Sequence, residues 1–213
     1  EACFGYRFDD PDQPNTDDSA PHVPKAVVGD RFFDWGNDRP PAVELHETVI
    51  YETHVRGLTM QHPDVPAALR GTYSGLAHPA VIDHLKRLGV TAVELMPVFQ
   101  FDETEAFGGL TNYWGYNPIS FFALRSGLAA DADEAVNDFK TMVRSLHQAG
   151  IEVILDLVFN HTGESDLEGT TSGFRAIDNE IYYLIDAEKS DYLNFTGCGN
   201  TVNCNHPVVR TLI

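Results

Sequence analysis

Two stretches of this chain are written to one plan, and that plan restricts the fold more than any other feature. In "HPAVIDHLKRLGVTAVELMPV", residues 78–98, Pro79 suits a first helical turn, and Val81, Ile82, Leu85 and Leu88 fall on one helical face. Gly89 then stops the helix, and "VTAVELM" reads as a buried strand. In "DADEAVNDFKTMVRSLHQAGIEVILDLVF", residues 131–159, Val136, Phe139, Val143 and Leu146 recur at steps of three and four. Gly150 stops that helix, and an apolar strand follows again. An earlier run, Thr48 to Val55 in "HETVIYETHVRG", is rich in β-branched and aromatic residues and reads as the strand that opens the series. Strand, helix, strand, helix, strand, with strands apolar on both faces, means parallel strands wrapped by helices. An open doubly wound sheet and a (β/α)8 barrel both satisfy this. No glycine-rich phosphate loop follows Val55, Val98 or Phe159, which disfavours the nucleotide-binding version.

Either fold gathers its function at the C-terminal ends of the strands. Those ends are "ETHVRG", "ELMPVFQF" and "DLVFNH", and each carries polar groups that a purely structural strand would not need. The third says most. Val153 to Phe159 is apolar except for Asp156, and the run stops at Asn160 and His161. An unpaired carboxylate in an apolar setting costs on the order of several kcal/mol. Asp156 is therefore expected to brace another polar group, with Asn160 and His161 at the mouth of a site. The plainer alternative is an aspartate satisfied by backbone amides or by a structural arginine.

Charge narrows the ligand. The 14 Lys+Arg stand against 32 Asp+Glu, a net charge of -18 that disfavours nucleic acid, anionic membranes and polyphosphates. A neutral, hydroxyl-rich ligand is indifferent to it, and simple surface solvation also accounts for the excess. No run approaches the ~20 apolar residues of a membrane span. Cys3, Cys198 and Cys204 do not make a disulfide framework. Cys198, Cys204 and His206 lack the spacing of a zinc site and an evident fourth ligand, so reduced thiols of a cytoplasmic protein are expected.

Residues 9–24, "DDPDQPNTDDSAPHVP", are rich in Asp and Pro and read as a surface connection. "AVVGDRFFDWGNDRPP" reads as a short strand and then irregular chain. The first residues, "EACFGYRFDD", carry neither an initiator Met nor a signal peptide, so a piece of a longer protein is expected. "NYWGYNP", residues 112–118, sets Tyr113, Trp114 and Tyr116 around one glycine. Such rings stack on the apolar faces of sugars, or simply fill a core. "FQFDETEAFGGL", residues 99–110, carries Asp102, Glu103 and Glu105. A retaining glycosidase needs two carboxylates ~5 Å apart across the scissile bond, but three acids in one loop read as solvated charge. "TGCGNTVNCNHP", residues 196–207, is a polar, glycine-rich loop, either surface or the rim of a cleft.

In this order and spacing, "YETHVRGLT", "VTAVELMPV", "NYWGYNP", "EVILDLVFNHT" and "TGCGNTVNCNHPVV" resemble the α-amylase superfamily of glycoside hydrolases. Within it the chain is similar to the isoamylase-type debranching enzymes, above all the bacterial glycogen debranching enzymes. "DSAPHVPKAVV" and "FDWGNDRPP" resemble the connection that such enzymes carry ahead of the barrel.

The resemblance implies residues 1–46 as the end of an N-terminal β-sandwich domain and its linker. It implies residues 47–213 as the first three strands of a (β/α)8 TIM barrel, with a long loop after strand three over about 160–205. It implies that His161 hydrogen-bonds the sugar at the cleaved position and that Tyr116 stacks on that sugar, with Trp114 beside it. Asp156 would brace an arginine next to the nucleophile. Asn160 matches an asparagine that binds calcium in many α-amylases, but debranching relatives often do without that ion, so no cofactor is expected. The nucleophile and general acid of the family lie on later strands, beyond Ile213. The activity implied is hydrolysis of α-1,6 branch points in glycogen, limit dextrin or related α-glucans by a retaining mechanism. A trehalose-releasing hydrolase, an amylase, and a carbohydrate-binding or structural segment without catalysis are the alternatives.

Overall fold

The structure is a computed structural model that describes residues 1–30, 32–103, 108–186, 188 and 191–213. Three strands, β1 (Ile50–Thr53), β2 (Ala92–Leu95) and β3 (Glu152–Leu155), form a parallel sheet in chain order. The register sets Tyr51, Val93 and Val153 in one row and Glu52, Glu94 and Ile154 in the next. Because side chains alternate along a strand, the first row packs into the core with the helices while the second takes the opposite face. The expectation of strands apolar on both faces therefore fails: the second face carries Glu52, Glu94 and, at the start of β3, Glu152.

The repeated plan folds as its punctuation dictates. Helix α3 (Pro79–Arg87) has Pro79 in its first turn, and α4 (Ala135–Gln148) is the long helix before β3. Gly89 and Gly150 end them at φ +76° and +81°, a region that costs glycine little. Val81 and Leu85 are buried and Ile82 packs beside them. Leu88, expected on that face, is the C-cap and is 54% exposed, because the chain is already turning away there. In α4 the buried positions are Ala135, Met142 and Leu146, with Phe139 and Val143 against them. Val136 is 45% exposed: Ala135 takes the inward position at the helix start, so the stripe lies one residue off the expected one.

Two short helices close the first core, α1 (Val55–Thr59) directly after β1 and α2 (Tyr73–Leu76) against α4. The expected strand Thr48–Val55 is therefore shorter, since Val55 already begins a helix. Three helix starts share a device. His54, His78 and His206 stand at the N-caps of α1, α3 and α6 (Pro207–Leu212), and each accepts a backbone N–H at its side chain.

The apolar run after Glu152 does not stay in the sheet. Asp156 still donates its N–H to Leu95 O at 3.0 Å, but the strand has ended at Leu155 and Leu157 is exposed. Phe159 turns into a second core built on Phe121, Tyr183, Tyr192, Val202 and Val209. Around it lie α5 (Phe174–Tyr182) and the antiparallel pair β4 (Ile185–Asp186) and β5 (Asp191–Tyr192). The long segment after β3 thus packs, together with Phe121 from the chain before α4, around a second core. Near the N-terminus, the short strand expected at "AVV" is absent, and Val27 and Val28 are exposed. The following stretch is tied to α4: Asp38 meets His147 at 2.8 Å, and Arg144 donates to Asp34 O at 2.8 Å.

Candidate functional site

The C-terminal end of β3 and the aromatic loop 112–118 meet in one place. The Tyr116 hydroxyl donates to Asp156 Oδ2. His161 Nε2 lies 2.8 Å from the Tyr116 carbonyl, to which it donates. Its Nδ1 lies 3.0 Å from the Asn160 side-chain amide, which can present either an oxygen or an N–H. His161 is 4% exposed, so both ring nitrogens are held by protein groups. Asp156 is only half-buried, and its partner is a phenol rather than backbone amides. Burial first, then the hydrogen bond and charge of Asp156, then the charges of Glu52 and Glu94 raise the Tyr116 hydroxyl pKa above its ordinary value. The phenol therefore stays protonated and donating. Trp114, 63% exposed, stands edge-on to Tyr116 with ring centroids 6.4 Å apart. Tyr116, Trp114, Asp156, Asn160 and His161 are therefore neighbours in space.

The loop can follow this path because of Gly115. Its φ is +88°, and a Cβ there would lie 2.7 Å from the Phe101 ring. Asn112 accepts the Gly115 N–H at 3.1 Å and closes the turn. The chain after His161 is held just as tightly. Asn200, fully buried, accepts from Thr162 N at 3.1 Å and donates to Thr162 O at 3.1 Å and Ser165 O at 2.7 Å. The "TGCGNT" loop is therefore neither free surface nor cleft rim at this residue: it pins the residue that follows His161. Glu164, 4% exposed, accepts from Ser172 N, Gly173 N, Arg175 N and the Tyr183 hydroxyl at 2.9, 2.7, 3.0 and 2.5 Å.

Other candidates do not join this cluster. Glu103 pairs with Arg125, whose guanidinium stacks 3.9 Å above Phe101. Asp102 donates its backbone N–H to Asn117 O at 3.0 Å, and Glu105 lies outside the described residues. His206 caps α6, and Cys198 and Cys204 are exposed. Among the described residues no three His, Cys, Asp or Glu side chains are grouped to hold a metal. A cavity of about 600 Å³ is lined by Phe101, Pro118, Phe121, Gly163 and Phe174 but by none of Tyr116, Asp156 and His161.

The sequence reading missed His54. Its Nδ1 accepts from Arg56 N at 3.1 Å and Gly57 N at 3.2 Å, its Nε2 reaches Tyr113 O at 2.9 Å, and its ring stacks on Tyr113 at 4.2 Å. The available signal was a polar residue two positions ahead of "RG" at a strand end, where a helix start was not expected.

The alpha amylase catalytic domain profile matches residues 4–200. A glycogen operon protein GlgX homolog of Mycobacterium tuberculosis is 55% identical over 221 residues, covering 100% of this chain and 31% of that protein. A glycogen debranching enzyme of Klebsiella pneumoniae is 53% identical over 199 residues, covering 92% of this chain and 30% of that protein. The chain thus spans about a third of the length of the curated relatives it matches. Among solved structures, pullulanase from Paenibacillus barengoltzii in complex with maltohexaose and alpha-cyclodextrin superposes with a TM-score of 0.70 at 27% identity, over 84% of this chain and 29% of that one. Pullulanase from Anoxybacillus complexed with maltotetraose gives 0.68 at 28% identity, over 91% and 28%. Among the described residues no helix is long and apolar enough to cross a membrane.

Proposed function

Because this chain belongs to the alpha amylase catalytic-domain family, we propose that it supplies the first part of the catalytic barrel of an enzyme that hydrolyses α-1,6 branch points of glycogen and related α-glucans. The observation that carries this reading is the meeting of Tyr116, Asp156 and His161 at the end of a parallel strand. The names of the relatives, glycogen debranching enzyme and pullulanase, support the substrate class. The three parallel strands are read as the first three of a (β/α)8 barrel, and residues 1–46 as the connection into it from a preceding β domain. The net charge of -18 suits a neutral polyol and no nucleic acid, and the unpaired cysteines suit a reducing cytoplasm.

The reaction proposed is a retaining double displacement. A carboxylate attacks the anomeric carbon as an acid protonates the departing oxygen, and water then opens the glycosyl-enzyme ester. Both acids are assigned to barrel strands outside these residues. This chain's share is grip. The Tyr116 ring faces the sugar at the cleaved position, Trp114 extends the platform, and Asp156 holds the Tyr116 hydroxyl in place. His161 offers its Nε2–H to a sugar hydroxyl when that hydroxyl displaces the Tyr116 carbonyl. No step runs through calcium.

The test is the full-length gene product on glycogen limit dextrin, linear amylose and trehalose-capped maltooligosaccharides, with chain lengths resolved after digestion. Release of short linear chains from limit dextrin alone is expected. Cleavage of amylose or release of trehalose would reassign the enzyme within the family, and no hydrolysis of any of these would leave only a binding or structural role.

A further inference from the structure

We propose that His54, in its neutral Nε2–H tautomer, is a positioning residue that anchors the aromatic loop 112–118 for sugar binding. The inference rests on the reading of Trp114 and Tyr116 as the sugar platform.

The geometry leaves the ring one state. Nδ1 faces two backbone N–H groups, those of Arg56 and Gly57, so it must carry a lone pair. Nε2 faces the Tyr113 carbonyl at 2.9 Å and must carry the proton. The imidazole also lies nearly parallel to the Tyr113 ring, 18° between planes. One side chain therefore caps α1, donates to the loop backbone and stacks on a loop side chain. Gly57 completes the arrangement, since a Cβ there would come 3.0 Å from the Tyr113 hydroxyl. Tyr113 immediately precedes Trp114, so an error at His54 is passed to the platform through one peptide bond.

Protonation would undo this. An imidazolium puts a third N–H against the two already there, so the cap fails and the ring is pushed from the place in which it stacks on Tyr113, even though Nε2–H can still donate. The charged groups around the ring are Arg56 on its own helix and Arg125 from the segment after Phe121, with the Tyr113 phenol stacked on it. Burial, opposed by the Tyr113 carbonyl and aided by the two arginines, holds the His54 pKa below its ordinary value. A histidine with a depressed folded pKa contributes stability that is fully present above its unfolded value, about 6.5. That contribution is lost as pH falls below this value toward the lower folded one.

The variants separate the cap from the anchor. His54→Asn keeps an oxygen that can cap α1 but loses the Nε2–H donor and the stacked ring. Gly57→Ala favours the helix but crowds Tyr113. In the full-length enzyme on limit dextrin, each variant is expected to raise KM about tenfold while kcat changes by less than about threefold. Wild-type KM should rise as pH falls below the ordinary histidine range, and His54→Asn should lack that step. Hydrogen–deuterium exchange of residues 112–118 provides a readout that needs no substrate, and faster exchange in both variants is expected. Unchanged loop exchange would overturn the anchoring. Faster exchange with unchanged KM would overturn the link to sugar binding. A wild-type enzyme inactive on every α-glucan, with the loop still loosened in the variants, would sink the functional reading and leave the anchor standing.

Discussion

Glu164→Gln tests whether the segment that follows His161 is held by one buried carboxylate. The substitution preserves shape and replaces one oxygen by an NH2. In the wild type, Oε1 serves Ser172 N and Gly173 N, and Oε2 serves Arg175 N and the Tyr183 hydroxyl. A glutamine can place its NH2 on the Oε2 side, where the Tyr183 hydroxyl can reverse and accept. Arg175 N then has no acceptor. An unpaired buried donor costs about 1–3 kcal/mol, and hydrogen bonds to a neutral amide are weaker by roughly half than those to a carboxylate. The two effects together come to about 3 kcal/mol, a little over 100-fold in a local opening equilibrium. The assay is hydrogen exchange of the Ser172, Gly173 and Arg175 amides in the full-length protein, under conditions where exchange reports the opening equilibrium. Protection should fall by about two powers of ten there, while the Val93 and Leu95 amides of β2 change little. A loss under about threefold at all three amides would refute the reasoning, because it would mean that solvent already serves these N–H groups.

Asn200→Ala should destabilise the segment after His161 by about 2–3 kcal/mol, because Thr162 and Ser165 lose three buried hydrogen bonds at once; equilibrium unfolding and kcat/KM should both fall, and an unchanged kcat/KM would detach this loop from the site. Gly115→Ala forces a side chain into φ +88° and onto the Phe101 ring, so a loss of about 2 kcal/mol or more is expected by denaturant unfolding, whereas a neutral result would show that the loop has an alternative path. Tyr116→Ala should raise KM for limit dextrin about 100-fold and Tyr116→Phe by about tenfold or less, since Phe keeps the stacking face and loses only the donor to Asp156. Equal losses would mean that the hydroxyl, not the ring, carries the contact.

What the sequence revealed follows from which interactions are local. Glycine stops and apolar periodicity are short-range signals, so α3, α4 and the strands after Gly89 and Gly150 were legible. The faces were less so. Leu88 and Val136 fit the stripe by spacing yet lie exposed, because a helix end departs from the ideal phase just where the chain turns. The glutamates on the second face of the sheet were hidden by reading the strands as apolar runs. Asp156, Asn160 and His161 stood out as polar residues closing such a run, and "NYWGYNP" stood out as aromatics around a glycine. His54, Glu164 and Asn200 were invisible as partners, since each bonds to groups that only the tertiary fold brings close.

The pairing order of the sheet sets a schedule for synthesis. Ile50 pairs with Ala92, and Ala92 in turn with Glu152, so β2 and then β3 each find a neighbour in a strand already made. At ribosomal speeds β2 follows β1 by roughly a few seconds. Only β1, among these three strands, waits for a partner translated later. A nascent chain can therefore assemble this sheet in order of emergence, and slowing translation between Gly71 and Thr91 should leave the order of docking unchanged while lengthening the interval in which chaperones can bind β1.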